Sequence, residues 1–218
     1  MMNTIKTSIV KVLSAAAVLA ISAIAFSQAQ AAGYMGVGAG QSSMSDLDEV
    51  CNDVEFLGVQ SGIATSCRDD DSDTGYKLFG GYRFNENWAI EGSLFDLGEF
   101  SVDAALRAPN GATGRVTSTL DVKGAALALV GSLPLGERTS LFGKLGVAYG
   151  EGDVRTTVTV AGVGTVLSES DSESETDALF GAGLDVALTE TVSIRFEWER
   201  YNFEDEIDFF VFSVLFGW

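Results

Sequence analysis

Histidine is missing from this 218-residue chain, and cysteine and proline occur only twice each. Without an imidazole the chain cannot form a Ser-His-Asp triad, and it lacks the side chain best suited to general base catalysis near neutral pH. A Ser-Lys or paired-carboxylate site remains conceivable, but no motif in the sequence supports either. We therefore predict that the protein is not an enzyme, with no catalytic residues and no cofactor.

Basic side chains are also scarce, with 13 lysines and arginines against 31 acidic residues. This balance argues against a nucleic-acid partner, because phosphates require a basic surface. Two acidic clusters, 69–73 and 169–175, offer oxygen ligands for Ca²⁺ but lack the spacing of an EF-hand. We expect both clusters to be solvated loops, and we predict no metal site.

Long apolar runs are confined to the N-terminus. Lys6 and Lys11 precede an uncharged apolar stretch, 12–26, which is followed by Ala29-Gln30-Ala31. This order is typical of a secretory signal peptide, and the stretch is shorter than the roughly 20 residues of a membrane-spanning helix. We predict a signal peptide over residues 1–31, with an uncleaved anchor as the alternative. The mature chain then carries eleven basic and 31 acidic residues, a net charge of −20.

Apolar and polar residues alternate in eight segments of the mature chain, each 9–14 residues long. Such a segment is long enough to cross a bilayer at a tilt, whereas globular strands typically have about 5–6 residues. The predicted strands are 33–41, 74–84, 88–99, 119–132, 139–150, 176–188, 191–203 and 207–218. Short and long connections alternate between them, as in a barrel with periplasmic turns and external loops. The sequence therefore predicts an all-β fold, an eight-stranded antiparallel up-and-down transmembrane β-barrel over residues 32–218.

Three long connections, 42–73, 100–118 and 151–175, are polar and rich in Gly, Ser and Asp, and none has a convincing helical period. We expect the third to prolong its hairpin above the membrane, because the Thr- and Val-rich segment 154–160 is followed by turn-forming residues. Residues 168–175 are expected to stay unordered, because they are too polar to bury any surface.

Three predicted strands, 139–150, 176–188 and 191–203, each have an apolar face and a face of polar and small residues. In the segment 191–203, Phe196 and Trp198 lie opposite Arg195 and Glu197. A soluble lipocalin-like barrel would place the polar face outward. We favour the inverse orientation, because small residues share the polar face, aromatic residues gather at one end of the strands, and the last strand is almost entirely apolar.

The last predicted strand ends the chain on an aromatic ring. Its alternate positions are large and apolar, namely Phe212, Val214, Phe216 and Trp218. A face that touches lipid, with Trp218 at the level of the headgroups, accounts for both features. The ending resembles the C-terminal signal that the bacterial outer-membrane insertion machinery reads. We therefore predict a location in the bacterial outer membrane, with membrane lipid and the barrel-assembly machinery as partners.

Several Gly- and aromatic-rich segments resemble outer-membrane protein A-like barrels. They are Gly75-Tyr76-Lys77-Leu78-Phe79-Gly80-Gly81-Tyr82-Arg83-Phe84-Asn85, Ala89-Ile90-Glu91-Gly92, Asp96-Leu97-Gly98, Phe142-Gly143-Lys144-Leu145-Gly146, Gly181-Ala182-Gly183-Leu184-Asp185 and Ile194-Arg195-Phe196-Glu197-Trp198. Their order and spacing extend the resemblance over residues 33–218, apart from the long loops. The best-known member of that family carries a peptidoglycan-binding domain after its barrel. None is expected here, so the resemblance is to the stand-alone barrels of the family.

The resemblance implies a set of inward charges that forms an ion-pair network, plugs the lumen and has been proposed as a gate. The corresponding inward residues here are Glu91, Lys144, Asp185, Arg195 and Glu197. An eight-stranded barrel is only wide enough to be filled by its own side chains, so a satisfied polar core is the simpler interpretation. Val130 weakens the gate interpretation, because the resembled barrels have an inward Lys on that strand.

The two cysteines, Cys51 and Cys67, both fall in the first long connection, with fifteen residues between them. A pair of cysteines in one external loop of an exported chain predicts a disulfide, because that compartment is oxidising. By loop-closure entropy such a bond contributes about 3 kcal/mol, here mainly by ordering the loop.

Taken together, the sequence favours a structural and surface-interaction scaffold in the outer membrane. Its acidic external loops would carry specificity for an unknown extracellular partner. A narrow gated pore for ions or small solutes is the alternative. A soluble periplasmic ligand-binding barrel is a third possibility, and an enzyme is the last.

Overall fold

The computed structural model describes residues 32–45 and 47–217. The predicted signal peptide, residues 1–31, and the terminal Trp218 lie outside the described residues. The described chain forms nine strands and one helix. They are β1 (Ala32–Met44), α1 (Leu47–Gln60), β2 (Ala64–Asp70), β3 (Ser72–Arg83), β4 (Trp88–Arg107), β5 (Thr113–Pro134), β6 (Thr139–Val160), β7 (Gly164–Ala187), β8 (Val192–Tyr201) and β9 (Ile207–Gly217).

Eight of these strands close into one antiparallel ring in the order β1-β3-β4-β5-β6-β7-β8-β9, and β9 pairs with β1. The predicted eight-stranded up-and-down barrel is therefore confirmed. The remaining strand, β2, pairs with the outer half of β4, where it prolongs β3 beyond a break at Asp71.

On β6, β7 and β8 the face of polar and small residues points into the lumen, as predicted. On β8, Arg195 and Glu197 are buried whereas Phe196 is 52% exposed. On β5, Val130 is buried and Leu129 is exposed. The outward apolar band also includes Met35, Val37, Leu78, Leu94, Leu127, Leu141, Leu145, Val147, Leu184 and Phe212.

Aromatic side chains lie at both ends of this apolar band. At the end with the tight turns they are Tyr82, Phe84 and Trp88, and at the other end they are Tyr76, Tyr149, Trp198 and Phe210. Outer-membrane barrels carry such aromatic girdles at the two membrane interfaces. We take the membrane-crossing part of each strand to lie between these two girdles.

Four neighbouring strands continue far beyond the outer girdle. β4, β5, β6 and β7 have 20–24 residues, whereas β1, β3, β8 and β9 have 10–13. On β6, the segment 150–160 adds about 35 Å to the strand at roughly 3.3 Å per residue. The barrel therefore carries a one-sided external wall, which we call the extension.

Two segments that were predicted to be loops are strands of the extension. Residues 100–118 and 151–175 are mostly strand, and only 108–112 and 161–163 connect their hairpins. The predicted prolongation of the third connection over 154–160 is confirmed.

The prediction that 168–175 stays unordered was wrong. Residues 168–175 pair with 150–157 of β6 along their whole length. All eight side chains are exposed, so the segment buries no apolar face. Backbone hydrogen bonds to β6 hold it in the sheet while its side chains remain hydrated.

The first long connection was also predicted without a helix, and this was wrong. Leu47, Val50, Cys51 and Val54 recur at the i, i+3, i+4, i+7 spacing of one helix face. Leu47 packs against the buried cluster at the barrel mouth. The helix ends before Gly62, whose φ of 68° is readily adopted by glycine. Within the described residues, no helix has the length and apolar character needed to cross a membrane.

A β-bulge marks the foot of the extension on β4. The pairing of β4 with β5 shifts by one residue between Asp96 and Glu99, and Gly98 there has a φ of 84°. The side chain of Asp73 accepts a hydrogen bond from the Glu99 N–H at 2.8 Å. Below the bulge Leu97 points inward, and above it Phe100 does so.

Candidate functional site

Seven charged side chains meet inside the barrel. They are Lys77 of β3, Glu91 of β4, Lys144 of β6, Asp185 of β7, and Arg195, Glu197 and Glu199 of β8. Each is at most 7% exposed, because alternation directs it to the lumen face of its strand. We call this cluster the lumen network.

Arg195 holds one side of the network. Its guanidinium donates to both carboxylate oxygens of Asp185, at 2.7 and 3.0 Å, and to Glu91 Oε2 at 2.7 Å. The planar group also lies over the ring of Phe142, 4.3 Å from the centroid. A guanidinium suits this position because its fixed fork can bind one carboxylate in bidentate fashion and still reach a second.

Two lysines hold the other side. Lys144 Nζ donates to Glu91 Oε1 at 2.7 Å and to Glu199 Oε1 at 3.0 Å, and it also contacts Glu197. Lys77 Nζ donates to Glu197 Oε2 at 2.9 Å and to Glu199 Oε1 at 2.7 Å. Glu91 links the two sides, because it accepts from both Lys144 and Arg195.

The structure brings together all five residues predicted from sequence and adds Lys77 and Glu199. Both additional residues could have been found from strand alternation. Lys77 shares a face with the buried Phe79, and Glu199 shares one with Arg195 and Glu197.

Charge is nearly balanced within the network, which has four acids and three bases. Arg83 approaches Asp185 at 3.7 Å from the more exposed end of the cluster. Two tyrosines add hydroxyl donors: Tyr34 to Glu91 at 2.9 Å, and Tyr201 to Glu199 at 3.1 Å. Such pairing is necessary, because a single uncompensated buried charge is strongly destabilising.

Apolar layers lie on both sides of the network. Towards the tight turns, the layer consists of Tyr34, Phe79, Ala89, Val130, Phe142 and Leu215. Towards the external mouth, it includes Phe95, Leu97, Phe100, Leu179, Tyr201, Phe203, Ile207, Phe209 and Val211. The outer layer therefore separates the network from water at the external mouth, whereas at the turn end Asp185 extends past Phe142 to the partly exposed Arg83. In the part of the chain that the structure describes, no group of His, Cys, Asp and Glu is arranged to hold a metal ion.

Comparison with known proteins agrees with this architecture. Residues 13–218 match the family model of the outer membrane protein beta-barrel domain. The chain belongs to this family. It is accordingly a bacterial outer-membrane protein.

Solved structures similar to this family member are also small outer-membrane barrels. Ail of Yersinia pestis is 16% identical, with 87% of this chain and 100% of Ail covered and a TM-score of 0.48. The N-terminal β-barrel domain of Pseudomonas aeruginosa OprF is 13% identical over 86% of this chain and 97% of that domain, with a TM-score of 0.45. Neisserial surface protein A is 10% identical over 86% of this chain and 99% of its own, with a TM-score of 0.40. No match among the curated proteins reaches significance.

The disulfide predicted in the first external connection is present. Cys51 of α1 and Cys67 of β2 are joined, with their Cα atoms 5.3 Å apart. Cys67 also donates its backbone N–H to Glu55 of α1 at 3.1 Å. The helix is thus fixed to the strand that lies alongside β4 in the extension.

The described part of the predicted C-terminal signal lies on the lipid-facing side of β9. Phe212 and Phe216 are 45% and 50% exposed, and Val214 shares their face. Phe212 packs against Phe196 of the neighbouring strand, with ring centroids 5.0 Å apart. The role of these residues in assembly stays a prediction.

Proposed function

We propose that this protein is a non-conducting outer-membrane scaffold that presents its extension to an extracellular partner. The observation that carries the proposal is the filled lumen, in which the lumen network packs together with two apolar layers. A conducting path would have to cross all three. The bore thus acts as a support, and the external surface is where recognition takes place.

The form of the external region supports this role. β4 to β7 rise well above the outer girdle, and a disulfide fixes α1 to β2 beside them. A preformed surface of this kind loses little conformational entropy when it binds, which favours recognition. Because the mature chain has a net charge of −20, we expect the partner surface to be basic.

The pairing of β6 with β7 allows a direct test of the scaffold role. Gly150 and Glu175 are opposite each other on β6 and β7, so an Asn-Gly turn can replace residues 151–174 without a change of register. We expect this shortened barrel to assemble and to remain heat-modifiable on gels, because its membrane-crossing strands are intact. Cells that display it should lose adhesion to a polylysine-coated surface.

A second variant separates shape from charge. Replacement of Glu169, Asp171, Glu173 and Glu175 by Gln or Asn keeps the strand and removes four charges. Loss of adhesion in both variants would identify charge as the determinant, and loss in the shortened barrel alone would identify the extension itself. Adhesion equal to that of the wild type in both variants would contradict the proposal.

The narrow gated pore remains the second candidate, because Lys144 contacts three acids and could exchange partners. Planar-bilayer recordings of the refolded mature protein distinguish the two functions. We expect no discrete openings in the wild type, in Glu91→Ala or in the external control Arg155→Ala. Openings in the wild type that change in size in Glu91→Ala would reject the scaffold role for the lumen and favour the pore.

A further inference from the structure

Two adjoining cavities open above the external apolar layer, each with a volume of about 440 Å³. They share Met44, Leu120, Val154 and Asp205 as lining residues. This places them at the mouth of the barrel, between the short strands and the extension. Together we call them the vestibule. Its volume falls within the range of small-molecule sites, roughly 300–1,000 Å³.

One half of the vestibule is almost entirely apolar. The inner faces of β4 and β5 contribute Phe100, Ala104 and Leu120, and α1 contributes Leu47 and Val54. Because the disulfide holds α1 against β2, this wall is built into the fold. The cavity is therefore shaped to hold a hydrophobic group of limited size.

The other half of the vestibule is acidic. Its lining includes Glu173, Glu175, Glu204 and Asp205, together with the ring of Phe203. Neither half has a lysine or arginine among its lining residues. Several carboxylates around one cavity attract organic cations through their negative charge.

We propose that the vestibule binds small organic cations that carry a hydrophobic group, such as a quaternary ammonium attached to an aromatic ring. The apolar half takes the hydrocarbon and the acidic half takes the cationic head. A carboxylate or sulfonate of the same shape is repelled by the acids. The site goes beyond the scaffold role, and it can exist whether or not the extension also binds a larger partner.

Binding can be measured on the mature protein in nanodiscs of zwitterionic phospholipid, with empty nanodiscs as the blank. The probes are benzyltrimethylammonium, neutral benzyl alcohol and anionic benzoate, titrated by calorimetry or by ligand-observed NMR. We expect saturable binding of the ammonium, weaker binding of the alcohol and none of benzoate. Equal signals from empty nanodiscs, or equal binding of all three probes, would overturn the proposal.

A matched pair of substitutions locates the site. Ala104 lines the vestibule, whereas the adjacent Ala105 lines a different cavity on the other face of β4. We expect Ala104→Phe to weaken ammonium binding by about tenfold, because the larger side chain fills the apolar half. Ala105→Phe should bind as the wild type does. Equal affinities in the two variants would place the binding elsewhere.

A charge substitution keeps the test decisive if Ala104→Phe does not assemble. Asp205 is exposed, so Asp205→Asn should leave the fold intact. We expect it to weaken ammonium binding by roughly threefold, in line with an exposed ion pair, and to leave the alcohol unaffected. Glu190→Gln in a tight turn at the opposite end of the barrel serves as the charge control. The same loss in Glu190→Gln, or no loss in Asp205→Asn, would rule out the acidic half as the cation site.

Discussion

The negative charges of acidic residues inside the barrel and of those on the extension are stabilised in different ways. Glu91 and Glu199 in the lumen each accept hydrogen bonds from a cationic side chain and from a tyrosine hydroxyl. On β7, Asp171 and Glu173 are exposed and lie opposite Val154 and Gly152, which carry no charge. Burial makes a partner essential for the first group, whereas water solvates the second. The external acids are therefore free to interact with molecules from outside.

The strongest test of this contrast is Arg195→Ala, which removes the donor shared by Asp185 and Glu91. We expect a loss of about 4 kcal/mol in the free energy of unfolding, because two acids remain buried without it. Urea titration of the barrel in lipid vesicles measures the loss. The external Arg155→Ala, on the exposed part of β6, should change stability by less than about 0.5 kcal/mol. Similar losses in the two variants would remove the distinction between lumen and extension.

The double variant Cys51→Ser, Cys67→Ser tests how independently the external region is held. We expect opening of α1 to become easier by about 3 kcal/mol, as the closure of a loop of this length predicts. Hydrogen exchange of the α1 amides measures this change. Lumen-facing strands should keep their exchange protection, because the disulfide does not touch them. Loss of protection in both regions would mean that they unfold as one unit.

A double-mutant cycle compares ion pairs of equal length in the two regions. Lys77 and Glu199 are 2.7 Å apart in the lumen, and Lys123 and Asp121 are 2.7 Å apart on the outside. We expect a coupling energy of about 2 kcal/mol for Lys77→Met with Glu199→Gln. No measurable coupling is expected for Lys123→Met with Asp121→Asn, because water screens that pair. Equal couplings would show that distance, and not burial, sets the strength.

The smallest effect is expected at Asp208, just beyond the outer girdle. Hydrogen bonds from Arg200, at 2.6 and 2.8 Å, lower the pKa of Asp208, and one from Trp198 Nε1 adds to this. A lowered pKa in the folded state stabilises the fold above the ordinary carboxyl pKa of about 4, and this stability is lost as the pH falls through the folded value. Asp208→Asn should cost less than about 1 kcal/mol at pH 7, because the pair is partly exposed.

Unfolding titrations between pH 3 and pH 7 measure the effect of Asp208. The curves for the wild type and Asp208→Asn should converge towards the acidic end. A gap that stays constant with pH would assign the effect to packing instead of ionisation.

The membrane-crossing part of the fold could be predicted because lipid and lumen impose opposite demands on alternate residues. Phe196 must be apolar and Arg195 must be paired, so the period of two is strong on β8. On the extension both faces of 168–175 meet water, and the alternation that identifies a strand disappears. Because apolar and polar residues do not alternate clearly there, most of the outer halves of β4 to β7 were not predicted to be strands.

The candidate site was predicted in part for a related reason. Arg195 and Glu197 belong to a motif that resembles a known family, and they were found through it. Lys77 also lies within a segment that resembles this family, but only the face that it shares with Phe79 assigns it to the lumen. α1 was missed because its apolar positions, including Val50 and Val54, are few and are interrupted by acidic residues. Neither part of the vestibule can be read from the sequence, because its walls come from distant segments.

The bulge at Gly98 acts on the strand as a frameshift acts on a coding sequence. The one added residue exchanges the inward and outward faces for every later position on β4, so that Phe100 and Ala104 point inward and Asp103 does not. Deletion of Gly98 would send the apolar residues into water and turn the intervening polar ones towards the vestibule, without altering a single side chain. A change of length at this one position therefore alters the external surface of β4 while the membrane-crossing part of the strand keeps its register.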